Sequence, residues 1–245
     1  MPPAARRSRP ARAGREPLDQ ERILEAAGKI VEADGAKSLT LRQLGAALGV
    51  DHTAVLRHFA GKDEILRALA DRLLADALTG FAPSPHWRST LEDIARRVRA
   101  AFLDHPSLAL IGATRVLRQP AEFRSADIVI QALLDAGLPP HHAALVYRAV
   151  VDLALAASAL EAQTRLLDEV DRERDAAAWR REYLMAPPTL YPALATVAPD
   201  LVEIDDDTVF ETAVALVLDS VASRASIADP KQRGRSEKYD FRANR

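Results

Sequence analysis

The chain has 245 residues, no cysteine and a formal net charge of −2, and 48% of its residues are hydrophobic. This length suits one small domain and one larger one, and so many apolar residues can bury a sizeable core. The absence of cysteine excludes disulfides, thiolate metal sites and cysteine nucleophiles. We expect a cytoplasmic protein, since no apolar segment of the signal-peptide type follows the early arginines.

Both ends of the chain are basic. Residues 1–17 are rich in proline, alanine and arginine and lack apolar periodicity, so they are predicted to form a disordered arm. Lysines and arginines also concentrate in residues 223–245, which are predicted to form a flexible basic tail. A nearly neutral chain can still bind nucleic acid through such local positive charge.

Residues 18–66 are predicted to form a small domain of short helices. Asp19 is a good N-cap for the first helix, and apolar residues then recur at helical spacing until Gly35, a residue type that ends helices. A second short helix is predicted to begin after Thr40 and to break at Gly49. A fourth, longer helix is predicted to begin near Lys62.

The block 40–59 shows the sharpest local pattern. A third short helix is predicted from residue 52 or 53 to about Phe59, so that two short helices flank a turn at Gly49. Glycine tolerates the left-handed conformation that such a turn requires, and Val50 then fills the angle between the helices. This pattern is typical of a helix-turn-helix, whose second helix enters the major groove of DNA.

Polar residues on these helices are the candidates for DNA contacts. Arg57 suits a guanine edge or a phosphate, and Thr53 suits a phosphate or a thymine methyl group. Thr40 can present its hydroxyl and the helix-end amides to a phosphate. The complete set of candidates is Thr40, Arg42, Gln43, His52, Thr53, Arg57, His58 and Lys62.

The remainder of the chain predicts helices only. A proline-containing stretch at 81–85 marks a boundary, and no later segment shows the alternation typical of a strand. The predicted helices lie at about 87–104, 106–117, 122–136, 139–166, 170–184, 187–197 and 206–225. The predicted fold is therefore all-α, with a helix-turn-helix domain at 18–66 and a second helical domain at 67–222.

Two segments, 143–160 and 209–221, are apolar almost all round. A helix without a polar face must be covered on both sides. Arg148 and Asp152 would be costly at a bilayer centre, so we do not expect a membrane span. We expect a homodimer in which each protomer contributes both helices to a four-helix interface. The alternative is that both helices lie in the core of a monomer.

Several pieces between residues 23 and 66 form one ordered pattern. They are the segments 23–27, 39–50, 56–59 and 62–66, together with Gly35. This pattern resembles the tetracycline-repressor (TetR) family. The resemblance implies a homodimeric repressor whose first helices bind a double-stranded DNA operator, and the DNA-contacting positions of the family match the candidates named above.

Leu56 departs from the family pattern. The family usually has a tyrosine here that contacts the DNA backbone, and leucine cannot donate that hydrogen bond. Either another group supplies the contact or the affinity for DNA is lower. A helical protein–protein module that has lost DNA binding is therefore the alternative function.

The C-terminal part also resembles the ligand-binding domain of tetracycline repressors. The pieces that carry this resemblance are Trp87, His105-Pro106, the segment 136–138, Glu161, the segment 191–194, Phe210, Leu216, Leu218 and Asp219. The resemblance implies a small-molecule effector, in a mostly apolar pocket. The positions that it assigns to the pocket are Ile94, Val98, Ile111, Arg115, Asp127, Tyr147 and Glu161.

No metal, other cofactor or enzymatic activity is predicted. Ile111 falls near a position where tetracycline repressors use a histidine to bind magnesium with the drug, so a metal–tetracycline effector is not expected. His141 and His142 are adjacent, and on a helix they diverge and cannot share one ion. The chain also lacks a Ser-His-Asp elbow, a glycine-rich phosphate loop and a paired Glu-x-x-His motif.

Overall fold

The computed structural model describes residues 17–228, with side chains as far as Arg224. The described backbone consists of α-helices joined by turns and loops, which confirms the predicted all-α fold. The helices are α1 Gln20–Asp34, α2 Leu41–Leu48, α3 His52–Val55, α4 Lys62–Ala77, α5 Trp87–Asp104, α6 Pro106–Thr114, α7 Pro120–Asp135, α8 Pro140–Arg165, α9 Glu169–Leu184, α10 Pro192–Leu201 and α11 Asp206–Ala228.

The two basic ends lie mostly outside the described residues. The arm predicted at 1–17 falls there except for its last residue, and so does the tail beyond residue 228. The last helix, predicted to end near residue 225, continues to Ala228, so the first residues assigned to the tail are helical.

The first helices enclose a small apolar core. Ile23 and Val31 lie on one face of α1 and are fully buried, as are Leu44 of α2 and Val55 of α3. The predicted N-cap is present, since Asp19 Oδ1 accepts the Arg22 N–H at 2.9 Å. In this N-terminal bundle α2 packs against both α1 and α3, and α1 packs against α4.

The regular part of α3 is shorter than the predicted segment. It ends at Val55, and the following residues form tighter turns in which the N–H groups of Arg57 and His58 donate to the carbonyl oxygens of Ala54 and Val55. Bonds of this three-residue spacing wind the backbone more narrowly than an α-helix. The tightened turn still ends on Phe59, whose side chain is buried.

The α6–α7 connection is longer than predicted, because α6 ends at Thr114 rather than near residue 117. Residues 115–119 form a loop in which Arg118 has a left-handed φ of 58°, which is uncommon for a residue other than glycine. Pro120 then occupies the first turn of α7, where its lack of an N–H costs nothing.

The position of α10 also differs from the prediction. The helix predicted at 187–197 begins at Pro192, because residues 187–191 form a turn in which the Tyr191 N–H donates to the Pro187 carbonyl at 2.9 Å. Pro199, predicted as a breaker, lies inside α10 near its end.

The second domain is built around α8, which contacts α5, α6, α7 and α11. α4 contacts α1 in the N-terminal bundle and also α5, α6 and α7 in the second domain. The buried apolar residues accordingly form one continuous cluster from Ile23 to Val221. α4 is thus the element that joins the two parts.

Much of α8 is exposed. By length and composition Pro140–Arg165 could cross a membrane, and only 17% of its most apolar stretch is buried. Leu145 and Leu160 are exposed apolar residues of this helix. Arg148 and Asp152 form an ion pair of 2.6 Å near its middle. One such helix is weak evidence for a membrane span, since core and interface helices have the same composition.

Candidate DNA interface and ligand cavity

The N-terminus of α2 is closed by a reciprocal cap. Thr40 Oγ1 accepts the Gln43 N–H at 3.1 Å, and Gln43 Oε1 accepts the Thr40 N–H at 3.1 Å. The Thr40 hydroxyl also donates to Gln43 Oε1 at 2.9 Å. Both side chains are exposed, and so is Arg42 between them. The cap therefore fixes the end of α2 while its polar groups face solvent.

The turn between α2 and α3 depends on two glycines. Gly49 has a left-handed φ of 64°, as predicted. Gly45 was not predicted to matter, yet a Cβ at this position would lie 2.9 Å from the Val50 carbonyl oxygen. The missing side chain lets the backbone of α2 approach the start of α3. A glycine inside so short a helix was the available signal for this contact.

Asp51 closes the N-terminus of α3. Its Oδ1 accepts the Thr53 N–H at 2.8 Å and the Thr53 hydroxyl at 2.6 Å. These hydrogen bonds from Thr53 hold the pKa of Asp51 below its ordinary value. His52 Nδ1 lies 3.5 Å from the same oxygen. His52, Thr53 and Arg57 are all exposed, so this surface is open to a partner.

Two of the predicted DNA contacts also serve the fold. His58 is half-buried, and its carbonyl oxygen accepts a hydrogen bond from Gln20 Nε2 at 3.2 Å. Lys62 Nζ donates to the Lys37 carbonyl oxygen at 2.7 Å and so ties the start of α4 to the α1–α2 loop. The predicted DNA-contacting residues lie on α2 and its N-cap Thr40, on α3, on the turn that follows α3 and on the first residue of α4.

A cavity of about 120 Å³ lies among α4, α5, α6, α7 and α8. Its walls are mostly apolar, and Ile94, Val98 and Tyr147 of the predicted pocket residues line it. Ala70 and Leu74 of α4 line it as well, although no residue of α4 was predicted to lie in the pocket. The cavity therefore borders α4, the helix that also packs in the N-terminal bundle.

The other predicted pocket residues lie elsewhere. Ile111 packs against the core, and Asp127 is exposed on α7. Arg115 lies 4.0 Å from Asp63 of α4. Glu161 is bound through both oxygens to Arg99, at 2.7 and 2.9 Å. A loose match to a family does not fix helical register, and each one-residue shift rotates a side chain by about 100°.

Glu122 forms the polar end of the cavity and was not among the predicted pocket residues. Its Oε2 accepts the Arg118 N–H at 2.7 Å, and its Oε1 accepts the Leu117 N–H at 3.1 Å. Burial raises the pKa of the Tyr147 hydroxyl, and the negative charge of Glu122 raises it further. In the sequence, the only indication of this role was the position of Glu122, an acidic residue in the first turn of a helix that begins with proline.

Asp71 connects α4 to this end of the cavity. Its side chain is buried, and its two oxygens accept the N–H groups of Ala121 and Glu122 at 3.2 and 2.9 Å. The carboxylate of α4 therefore caps the N-terminus of α7, where a negative charge is favoured. One residue along α4, Ala70 lines the cavity.

Comparison with known proteins identifies the chain. The family described as "Tetracyclin repressor-like, C-terminal domain" matches residues 81–224, and "Bacterial regulatory proteins, tetR family" matches residues 23–69. The chain belongs to the TetR family. It is accordingly a DNA-binding transcriptional regulator with a helix-turn-helix, which confirms the resemblance found in the sequence.

Curated TetR relatives match most of the chain. The HTH-type transcriptional repressor DrrR1 of Streptomyces coeruleorubidus is 28% identical and covers 81% of this chain and 76% of its own. The class A tetracycline repressor of Escherichia coli is 29% identical and covers 84% of this chain and 92% of its own. The similarity to both proteins therefore extends over the two domains.

Solved TetR structures show the same fold. The apo structure of ActR from Streptomyces coelicolor superposes with a TM-score of 0.78 at 24% identity, covering 88% of this chain and 100% of that one. ActR in complex with (S)-DNPA gives a TM-score of 0.73 at 26% identity, covering 86% and 100%. Together with the exposed Thr53 and Arg57, these comparisons disfavour a protein–protein module that has lost DNA binding.

Within residues 17–228, no group of three or more histidine, aspartate or glutamate side chains is placed to hold a metal ion.

Proposed function

We propose that this TetR regulator is a homodimeric, cytoplasmic repressor that a small, mostly apolar molecule releases from a near-palindromic operator. The observation that carries the proposal is the position of α4. Ile65 of α4 is buried in the core next to the N-terminal bundle, while Ala70 and Leu74 line the cavity. A change in the cavity can therefore move the base of the DNA-binding helices.

The DNA contacts that we propose come from α2, α3 and their flanks. Thr53 and Arg57 are exposed and suited to base edges, while Thr40 and the end of α2 are suited to a phosphate. We assign Arg42, Gln43, His52, His58 and Lys62 to the same interface. In a dimer, two copies of α3 would enter successive major-groove turns of one face of the operator.

The dimer that we propose forms through α8 and α11. Leu160 of α8 is 73% exposed and Leu216 of α11 is 65% exposed, although both helices are strongly apolar. The two helices contact each other within the protomer. A second copy that packs its own α8 and α11 on this surface would remove the apolar groups from water.

Effector binding would act as a shift between two populations. A molecule that widens the cavity would displace α4 and change the spacing of the two α3 helices. A preference of about 1–3 kcal/mol for the released state is enough for a moderate switch. The ActR structure with (S)-DNPA shows that a protein of this fold holds a small molecule.

The experiment begins with selection of bound sequences from a random DNA pool, followed by fluorescence anisotropy on the selected operator. We expect Arg57→Ala to weaken specific binding by about 1–3 kcal/mol, because one base or phosphate contact is lost. Arg174→Ala is the matched control, since Arg174 is an exposed arginine on α9. Selection of no sequence, or equal affinities for the two variants, would refute the proposed interface.

A further inference from the structure

The cavity is polar at one end only. Of the described residues that line it, Glu122 is the one with a charged side chain, and Ser125 and Tyr147 carry the hydroxyls. These three residues lie on α7 and α8, and the remaining lining residues are aliphatic, aromatic or glycine. A ligand in this cavity therefore meets an apolar wall on most sides and a negative charge at one point.

Glu122 accepts hydrogen bonds but forms no ion pair with any of the described residues. Its oxygens accept N–H groups of the α6–α7 loop, and no Lys, Arg or His in the described part of the chain lies within ion-pair distance of them. A carboxylate accepts about four hydrogen bonds, so its capacity is not exhausted by two. A charge that borders an apolar cavity without a counterion attracts a cation and repels an anion.

We propose that the effector of this regulator is a compact apolar molecule with a protonated amine, which binds with the amine at Glu122. The hydroxyls of Ser125 and Tyr147 accept further N–H groups from the same ammonium. A molecule of equal shape with a carboxylate is rejected, because two negative charges would share one apolar enclosure. This inference rests on the proposed function, since it names the effector class of the same cavity.

The volume of the cavity limits the size of the apolar part of the ligand. At about 120 Å³ it is somewhat smaller than a cavity of about 150 Å³ that is known to bind benzene. One six-membered ring therefore fills most of the space, and a larger body requires α4 or α7 to move outward. That displacement is the event that would reach the DNA-binding helices through α4.

Three probes with the same ring test the head group. We expect 2-phenylethylamine to bind to the purified dimer about tenfold more tightly than phenylacetate in calorimetric titrations, with 2-phenylethanol between them. In Glu122→Gln the amide keeps an acceptor oxygen for the loop but loses the charge, so the affinities for amine and carboxylate converge to within about threefold. Asp127→Asn removes an equal charge from the exposed side of α7 and should preserve the preference.

The outcomes separate this inference from the proposed function. A preference for phenylacetate, equal affinities in the unaltered protein, or no binding of any probe at millimolar concentration would overturn the inference. These wild-type titrations decide the matter even if Glu122→Gln fails to fold. Selective binding of the amine without release of operator DNA would support the inference and refute the ligand-controlled release. If other molecules release the operator DNA and Glu122→Gln does not change that release, the ligand-controlled release is supported and the inference is refuted.

Discussion

Leu56 is 42% exposed on the turn that follows α3, beside Arg57. A phenol at this position would reach outward from the DNA-binding surface and could donate to a phosphate oxygen, as the family tyrosine does. We expect Leu56→Tyr to strengthen operator binding by about 0.5–1.5 kcal/mol, the usual value of one hydrogen bond. The measurement is anisotropy on the selected operator.

Leu56→Phe is the matched control, because it adds the ring without the hydroxyl. If both variants bind operator as the unaltered protein does, this turn does not face the DNA backbone. If phenylalanine improves affinity as much as tyrosine, the gain comes from apolar contact rather than from a hydrogen bond.

Asp71 allows a residue-scale test of the α4–α7 connection. Asp71→Asn retains one acceptor oxygen, so one of the N–H groups of Ala121 and Glu122 loses its partner in a buried place. We expect the free energy of unfolding to fall by about 1–3 kcal/mol, measured by urea denaturation. Asp76→Asn, on the exposed side of the same helix, should change it by less than about 0.5 kcal/mol. Equal effects would show that the cap contributes nothing.

Single glycines show what sequence can and cannot predict at this scale. Gly49 was predictable, because it follows the last apolar residue of α2 and adopts the expected left-handed conformation. Gly45 was not, since its role depends on how closely the start of α3 approaches it in space. The roles of Asp71 and Glu122 were not predictable for the same reason, because their hydrogen-bond partners lie on another helix or in a loop.

At the scale of elements, α5 is joined to α11 by a row of ion pairs. Arg88, Arg96 and Arg99 of α5 bind Asp219, Glu211 and Asp207 of α11, respectively, at 2.6–2.7 Å. Arg99 also lies 4.9 Å from the centre of the Phe210 ring. These pairs fix the direction of α11 against a helix that lines the cavity.

The pairs predict a pH dependence. The hydrogen bonds from Arg96 hold the pKa of Glu211 below its ordinary value, so ionised Glu211 favours the folded state. This contribution is complete above the unfolded pKa of about 4.3 and is lost as the pH falls through the lower folded pKa. We expect the unfolding free energy to decrease less between pH 6 and 3.5 in Glu211→Gln than in the unaltered protein.

Urea denaturation at several pH values measures this difference. Glu173→Gln on α9 is the control, because Glu173 is an exposed carboxylate far along the chain from α5 and α11. Identical pH profiles for Glu211→Gln and the unaltered protein would show that the pair does not stabilise the fold.

Helices were easier to predict than the segments between them. The 3.6-residue periodicity and the caps located α1, α5 and α9 closely, because those signals are local. Residues 115–117 of the loop were predicted as helix, because they lack glycine and proline. In the structure the loop is instead held by Glu122, and Arg118 adopts a left-handed conformation. The early end of α3 escaped prediction for a similar reason, because tightened turns depend on packing.

At the scale of the whole molecule, the all-α fold followed from sequence, but the lining of the cavity did not. Ile94, Val98 and Tyr147, which only the family resemblance assigned to a pocket, line the cavity. Arg115 and Glu161 were misplaced by the family match because each binds an oppositely charged partner outside the cavity, Asp63 and Arg99. Such pairs depend on the packing of distant helices, which one sequence does not contain.

Three environments are possible for the exposed apolar faces of α8 and α11: a partner chain, a lipid bilayer or water. Each fully buried leucine contributes about 1.5–3 kcal/mol, so leaving several in water is unfavourable. The Arg148–Asp152 pair in the middle of α8 disfavours a bilayer. We therefore expect a dimer in detergent-free buffer by sedimentation at micromolar concentration, and no flotation with liposomes.

The double variant Leu160→Glu with Leu216→Glu distinguishes between these environments. It places two negative charges on each protomer and therefore four like charges in the symmetric interface. We expect a monomer whose operator affinity falls by well over tenfold, more than in Arg57→Ala, since the two half-sites are then bound independently. Leu110→Glu, at an exposed leucine of α6, is the control and should leave the dimer intact. A variant that stays dimeric would move the interface away from α8 and α11. A monomer that still binds the full operator at the original affinity would separate dimerisation from DNA recognition.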